Sequence, residues 1–361
     1  MYKICSVKKI LTFHIFLTIT LFAQSQIGGS SIFQFVTITN SARIASLGGE
    51  NVSLGASDFS TVFHNPALLD SSMTGNIVLN YINYVSDINF YYSGYAKHFK
   101  NIGTFGLGIY YFNYGEFQIA DELGYRYGTF TPSDWSVNLS YSRQLDSNFT
   151  VGVTSKFIYS DYIYYKASGL AFDFGATYRN RARKVTVGLV LKNAGMELMK
   201  YNKNKPREPL PFDWQVGITK KVKHAPFRIS LTYTHLEKFD LTYDVPLRYD
   251  EDTITYLGDA VVQKKESKIL DFADKFMRHV VIGVEFVPFK NFYISAGYNY
   301  RRRQELKLET HPGLVGFSIG AGIKISKFYL SYGRALYHMA GASNVFTVST
   351  NIDAFYNRIV Q

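Results

Sequence analysis

Cysteine is almost absent from this sequence: the only one among 361 residues is Cys5. A disulfide framework and a cysteine-ligated metal centre are therefore excluded. Long apolar runs are missing too. Past Phe22 no stretch supplies the roughly 20 uncharged apolar residues that a membrane-spanning helix requires. The eight histidines (His14, His64, His98, His224, His235, His279, His311 and His338) show no zinc-helix spacing and no His-Glu-x-x-His. There is no Gly-x-Ser-x-Gly elbow and no phosphate loop. No metal, no cofactor and no catalytic group is expected. The best local arrangement, His64 with Ser60 or Asp58, reads as ordinary packing.

Aromatic residues are abundant, at 17%, with 29 Tyr and 29 Phe, and hydrophobic residues reach 47%. Mean hydropathy is nevertheless only −0.07. Apolar residues are thus diluted by polar ones throughout, as alternation requires. Residues 1–23 read as a secretory signal: Lys3, Lys8 and Lys9 form the basic start, 10–22 the apolar stretch, and Ala23 precedes the cut. Cys5 falls inside this segment, and no cysteine stands at the cut to carry a lipid. The formal charge is +11, or +8 without those three lysines. The remaining charges are scattered and the chain is exported, which argues against nucleic acid. Anionic lipid head groups, or an acidic partner, are the expected counterpart.

The dominant pattern has period two, the repeat of a strand whose faces differ. Trp135, Val137, Leu139 and Tyr141 alternate with Asp134, Ser136, Asn138, Ser140 and Ser142. Phe317, Ile319, Ala321, Ile323 and Ile325 alternate with Ser318, Gly320, Gly322 and Lys324. Fourteen such segments can be marked: 76–85, 89–98, 103–114, 133–145, 149–159, 166–180, 184–193, 211–222, 227–235, 278–287, 291–300, 315–325, 328–334 and 344–352. Most run roughly ten residues, enough for a tilted strand to cross a bilayer. Short connections (100–102, 146–148, 181–183, 223–226, 288–290) alternate with longer ones (115–132, 194–210, 237–277, 301–312), although 86–87 and 160–165 break the rule. That asymmetry, and tyrosines at strand ends, fit a barrel better than a soluble sandwich. The predicted fold is all-β: a 14-stranded antiparallel transmembrane β-barrel over 75–361. Surface loops, the long one at 237–277 included, would be extracellular and both termini periplasmic.

Residues 24–74 do not alternate and are too polar for lipid. They are expected to fold into the lumen as a plug, with Arg43, Gly48, Gly49, Asn65, Pro66 and Ala67 as its motif. Gly106 and Gly108 would make room for it. Lys156, Asp173, Arg179, Lys192, Asp213, Arg228, Glu285 and Lys324 face inward and carry both signs, so ion pairs are expected to lock plug to wall. Arg301, Arg302 and Arg303 end a strand on the outer side, where guanidinium groups could hold lipopolysaccharide phosphates or a partner's carboxylates. In the long loop, Val262, Ile269, Phe272, Ala273 and Phe276 share one face of a predicted helix, suited to docking a partner.

An Ala-Arg, Leu-Gly-Gly and Asn-Pro-Ala-Leu segment ahead of alternating strands resembles the outer-membrane barrels related to FadL fatty-acid transporters. Arg278–Phe286, Gly297-Tyr298-Asn299-Tyr300-Arg301-Arg302-Arg303-Gln304-Glu305-Leu306, Gly316–Gly320, Tyr337-His338 and Ala340-Gly341 are similar to the PorV/PorQ barrels of the type IX secretion system, on the PorQ side. That resemblance implies a barrel that anchors a PorZ-like cell-surface protein, in company with PorU and PorV-like components, in the complex that attaches secreted cargo to lipopolysaccharide. The alternative is a FadL-like transporter of small hydrophobic compounds. It would need an apolar pocket by the plug and a gap in the wall, and the polar inner faces argue for the anchor.

Overall fold

The computed structural model describes residues 31–55, 58–84, 86–242, 268–306, 313–338 and 341–356. The signal segment, the first plug residues and the middle of the 237–277 loop, including Val262, lie outside them.

All fourteen segments read from the period are strands. They are β1 (Asn76–Asn83), β2 (Asn89–Phe99), β3 (Gly103–Asn113), β6 (Ser133–Gln144), β7 (Phe149–Tyr162), β8 (Tyr165–Asn180) and β9 (Val185–Met199). After these come β10 (Asp213–Lys221), β11 (Phe227–Tyr233), β12 (Val280–Phe289), β13 (Phe292–Asn299), β14 (Phe317–Ile325), β15 (Phe328–His338) and β16 (Gly341–Asn351). Each pairs antiparallel with its neighbour, and β1 closes on β16 from Asn76↔Asn351 to Asn83↔Asn344. The barrel sheet therefore has no free edge, which is what permits a sheet to sit in a bilayer.

The two faces are inverted relative to a water-soluble barrel. On β6, Trp135, Val137 and Leu139 are exposed, whereas Asp134, Ser136, Asn138, Ser140 and Ser142 are buried. An apolar exterior of this extent is stable only against lipid.

Four places depart from the reading of the sequence. Strands β7, β8 and β9 run 14, 16 and 15 residues. The predicted loop at 194–210 therefore opens as strand, reached through a register shift at Phe172/Phe174 beside Asn193 with its φ of 57°. The 115–132 connection holds a hairpin, β4 (Phe117–Ala120) with β5 (Arg126–Phe130), turned where Asp121 Oδ1 accepts from Leu123 N and Tyr125 N. The run Arg301-Arg302-Arg303 lies in a helix, Tyr300–Leu306, not on a strand end. Asn299 starts that helix by accepting Arg302 N at 3.1 Å through its side chain, the bond of an N-cap residue. Finally, the even strand count brings only the start of β1 and the end of β16 to one rim. The described plug begins at the other, long-loop rim, where Ile32 N donates to Pro209 O at 3.1 Å.

Candidate functional site in the filled lumen

The N-terminal segment folds by local capping, because short turns inside a barrel have no ladder to join. Ser41 caps helix Ala42–Ser46, and Asp58, Asn65 and Asp70 cap the single 3-10 turns Phe59–Phe63, Pro66–Leu68 and Ser71–Met73. Such side chains accept the first free N–H groups of a turn. Gly48 and Gly49 end the helix at φ 98° and 89°, where residues with a Cβ are strained. Asn65 does two jobs: Oδ1 accepts Ala67 N at 2.9 Å and Nδ2 donates to Val52 O at 2.8 Å.

The wall meets this segment with glycine. A Cβ on Gly175 would stand 2.1 Å from Asn65 Oδ1, one on Gly152 2.5 Å from Pro66 C, and one on Gly188 2.0 Å from Val52 O. Across the barrel, Gly297 would meet Leu47 and Gly48, and Gly333 would meet Ala42. Gly94 and Gly106 admit the Phe59 ring, whereas Gly108 faces the Tyr92 hydroxyl of the adjacent strand. The segment thus touches strands all around the ring and fills its interior.

Inward charges pair partly across plug and wall and partly within the wall. Arg43 Nε reaches Glu285 Oε1 at 2.6 Å, Arg228 Nη1 reaches Glu285 Oε2 at 2.8 Å, and the Arg43 guanidinium lies 4.5 Å over the Tyr293 ring. Arg179 holds Asp70 at 3.2 Å, and Lys192 stands 3.5 Å from Glu50. Lys156 and Asp173, at 2.7 Å, are both in the wall. Lys324 is exposed at the short-turn rim. His64 Nε2 lies 2.9 Å from Thr39 Oγ1, while Ser60 Oγ donates to Asp58 Oδ1 at 2.7 Å. His64 and Ser60 thus spend their bonds on different partners and do not form a nucleophile–base pair.

The arginine run divides its attention. Arg302 Nη1 donates to Gly48 O at 3.1 Å, and a Cβ on Gly49 would collide with the same guanidinium. Arg303 Nη1 donates to Gly313 O at 2.7 Å, and Arg301 Nε lies 3.7 Å from Glu305. Arg302 therefore belongs to the plug motif, joined to Gly48 and Gly49.

One sector of the lumen is apolar. The inner faces of β1, β2 and β3 carry Val78, Ile82, Phe90, Tyr92, Tyr110 and Phe112, all buried against Phe33, Phe35, Val36, Phe59 and Phe63 of the plug. Phe90 and Phe112 stack at 3.9 Å, and Phe63 meets Tyr110 edge-on at 5.5 Å. Above them Tyr114 and Tyr162 donate to the Asp134 carboxylate at 2.5 and 3.0 Å, and Tyr201 stacks on Tyr162 at 5.6 Å. Burial, reinforced by Asp134, pushes the Tyr114 phenol well above its ordinary pKa, so it stays a donor. On the lipid side of the same strands lies a dent of about 380 Å³ over Ser93, walled by Leu79, Tyr81, Tyr91, Ile109 and Tyr111. The sequence reading missed this sector, which consecutive aromatics (Phe90-Tyr91-Tyr92, Tyr110-Tyr111-Phe112) mark by breaking the alternation. It also missed a triad at the long-loop rim, Asp213, His235 and Glu237, whose ligand-type atoms lie within 4.8 Å of one another.

No family model matches the chain. No curated protein matches it either. Solved structures do. The Pseudomonas putida toluene transporter TodX matches at 11% identity with a TM-score of 0.51, over 86% of this chain and 97% of that one. A deltaS2 mutant of the TodX monoaromatic hydrocarbon channel matches at 12% identity with a TM-score of 0.50, over 88% and 99%. At this identity the likeness is one of fold: a closed 14-stranded outer-membrane barrel with N-terminal helical turns.

Proposed function

We propose that this barrel carries small apolar molecules across the outer membrane, the reading that the sequence placed second. The observation that carries it is the aromatic sector between β1–β3 and the plug. Inner faces that were expected to be polar all round are, in this sector, a packed apolar site under a tyrosine lid. Apolar, aromatic linings with a few placed polar groups are typical of small-molecule sites, and a solute would take the place of plug side chains such as Phe35 and Phe63. The lipid-side dent lies on the same strands, so a solute held by Phe90 and Phe112 is one wall away from the bilayer. Solved barrels of this fold include a toluene transporter and a monoaromatic hydrocarbon channel, which agrees with the chemistry of the sector. The long-loop rim then faces outward, and solute enters beneath Tyr114 and Tyr162.

Toluene binding to the purified barrel in detergent tests this reading. Saturable binding that weakens in Phe112→Ala and in Phe90→Ala is expected. Absence of saturable binding of toluene and of a long-chain fatty acid alike would defeat it.

The second reading, a type IX secretion barrel that anchors a PorZ-like surface protein, rests on helix Lys268–Met277, since the arginine run is engaged within the chain. That helix buries none of its residues, and Ile269, Leu270, Phe272 and Phe276 are exposed. Exposed apolar side chains of this kind mark contact surfaces. Recovery of a surface protein in near-equal amount with the barrel, lost when Ile269, Leu270 and Phe272 are replaced by Ser, would support it.

A further inference from the structure

We propose that Asp213, His235 and Glu237 form a zinc site at the long-loop rim. Asp213 is the first residue of β10. His235 and Glu237 lie two and four residues past the end of β11. His235 adopts a left-handed φ of 54°, uncommon for a residue with a side chain, and in that bend both side chains meet Asp213. His235 Nδ1 stands 2.9 Å from Glu237 Oε1 and 3.5 Å from Asp213 Oδ1.

Two carboxylates and one imidazole make a set with a formal charge of −2; Lys192, the cross-strand neighbour of Asp213, is shared with Glu50 at 3.5 Å, and a divalent cation would complete the neutralisation. Without one, His235 Nδ1 is the only ring atom between the two carboxylates, whose other contacts are neutral N–H donors. The groups are also held in place from behind. Glu237 Oε2 accepts Trp214 N at 3.0 Å, Asp213 Oδ1 accepts His235 N at 2.8 Å, and Asp213 Oδ2 accepts from the Gln215 amide. Bonds of this kind orient metal ligands. The side chains are only 11%, 18% and 8% exposed for Asp213, His235 and Glu237.

A second observation points the same way. Gln215 is completely buried, and its carbonyl oxygen has no hydrogen-bond partner. The nitrogen of the same amide donates to Asp213 and, at 3.2 Å, to Glu50, so the oxygen without a partner belongs to the side chain that backs Asp213. One imidazole with carboxylate oxygens suits zinc, whereas calcium and magnesium favour all-oxygen shells. The ion would fasten the exit of β11 to the start of β10, where Leu236 N already donates to Trp214 O at 3.1 Å. It would thereby fix the base of the long loop, whose Phe239 carbonyl lies 2.9 Å from His279 Nε2. This site is independent of what the lumen carries.

The test uses the full-length barrel in detergent, stripped with chelator and titrated with zinc alone. Bound metal per chain is measured by elemental mass spectrometry against a competing chelator. One zinc per chain is expected, with binding at least about tenfold weaker in His235→Ala and in the isosteric Glu237→Gln. The heat-dependent gel shift of the folded barrel should persist in both. X-ray absorption should show nitrogen and oxygen ligands at about 2.0–2.1 Å. Zinc lost on stripping and not regained, zinc bound equally well by both variants, or a preference for calcium would each overturn the proposal.

Discussion

Arg43 of the plug places Nε 2.6 Å from Oε1 of Glu285 on β12, and the same carboxylate takes Arg228 of β11 at 2.8 Å. One buried anion therefore holds two cations, and the two single deletions should differ. Arg43→Met leaves Glu285 paired with Arg228 and loses one charge-assisted hydrogen bond, worth about 1.5–3 kcal/mol. Glu285→Gln leaves two guanidinium groups facing each other, and breaking such a buried set costs about 3–5 kcal/mol. Glu285→Gln should lower the thermal midpoint of the gel-shift transition more than Arg43→Met. Because Arg43 is the plug's side of this link, Arg43→Met should still raise single-channel conductance in planar bilayers.

Wall glycines should tolerate alanine according to what stands opposite. At Gly175 the new methyl would meet Asn65 Oδ1 at 2.1 Å, and at Gly297 it would meet the backbone of Leu47 and Gly48 at 2.2 Å. Overpacking of this kind costs about 1–3 kcal/mol. At Gly341 nothing lies within 4 Å. Gly175→Ala and Gly297→Ala should therefore lose several degrees in the same heat-shift assay, and Gly341→Ala none. Equal midpoints for all three would show that the segment does not press on the wall.

The contrast between these sites explains what the sequence could show. Fourteen strands were legible because each carries its own signal, an apolar outer row such as Trp135, Val137 and Leu139 over a polar inner row. The plug motif was legible as a departure from that signal, but its contacts were not. Gly175 and Asn65 are 110 residues apart in number and meet only when the barrel closes. The helix at Tyr300–Leu306 was missed because its start depends on one side-chain bond from Asn299, while the arginines that follow suit a rim in any conformation. Asp213 and His235 become neighbours only through the β10–β11 pairing, so no histidine spacing could announce them.

Outside the barrel wall, Asp240 ties the base of the long loop to helix Lys268–Met277 through Lys275 at 2.9 Å. Hydrogen bonds from Thr242, with help from Lys275, hold the Asp240 carboxyl down to about 2, against an ordinary 3.8. A carboxyl whose folded pKa is depressed contributes stability that is present above its unfolded value and lost as pH falls through the folded one. The tether should thus be constant from neutral pH down to about 4 and fail only toward 2. Asp240→Asn should weaken it at every pH. Trypsin cleavage after Lys275 reads this out: faster in Asp240→Asn at pH 8, and no faster in wild type at pH 5 than its own activity profile predicts.

The tyrosine lid gives the sharpest test of how solute would enter. Tyr114 and Tyr162 both donate to Asp134, so this one carboxylate sets the position of two rings over the aromatic sector. Asp134→Ala removes the anchor without touching Phe90, Phe112 or Phe35. The rings sit near the rim, where water can replace the lost acceptor, so the lid should loosen by about 1 kcal/mol, a factor of about five in the open population. Equilibrium toluene binding should change little, because the aromatic contacts remain, whereas the rate of toluene uptake into cells expressing the variant should rise. Tyr162→Phe, which keeps the ring and loses only its hydroxyl, should fall between. If uptake rates are the same in all three while Phe112→Ala abolishes binding, solute reaches the aromatic sector by another route, and the dent over Ser93 on the lipid side becomes the place to look.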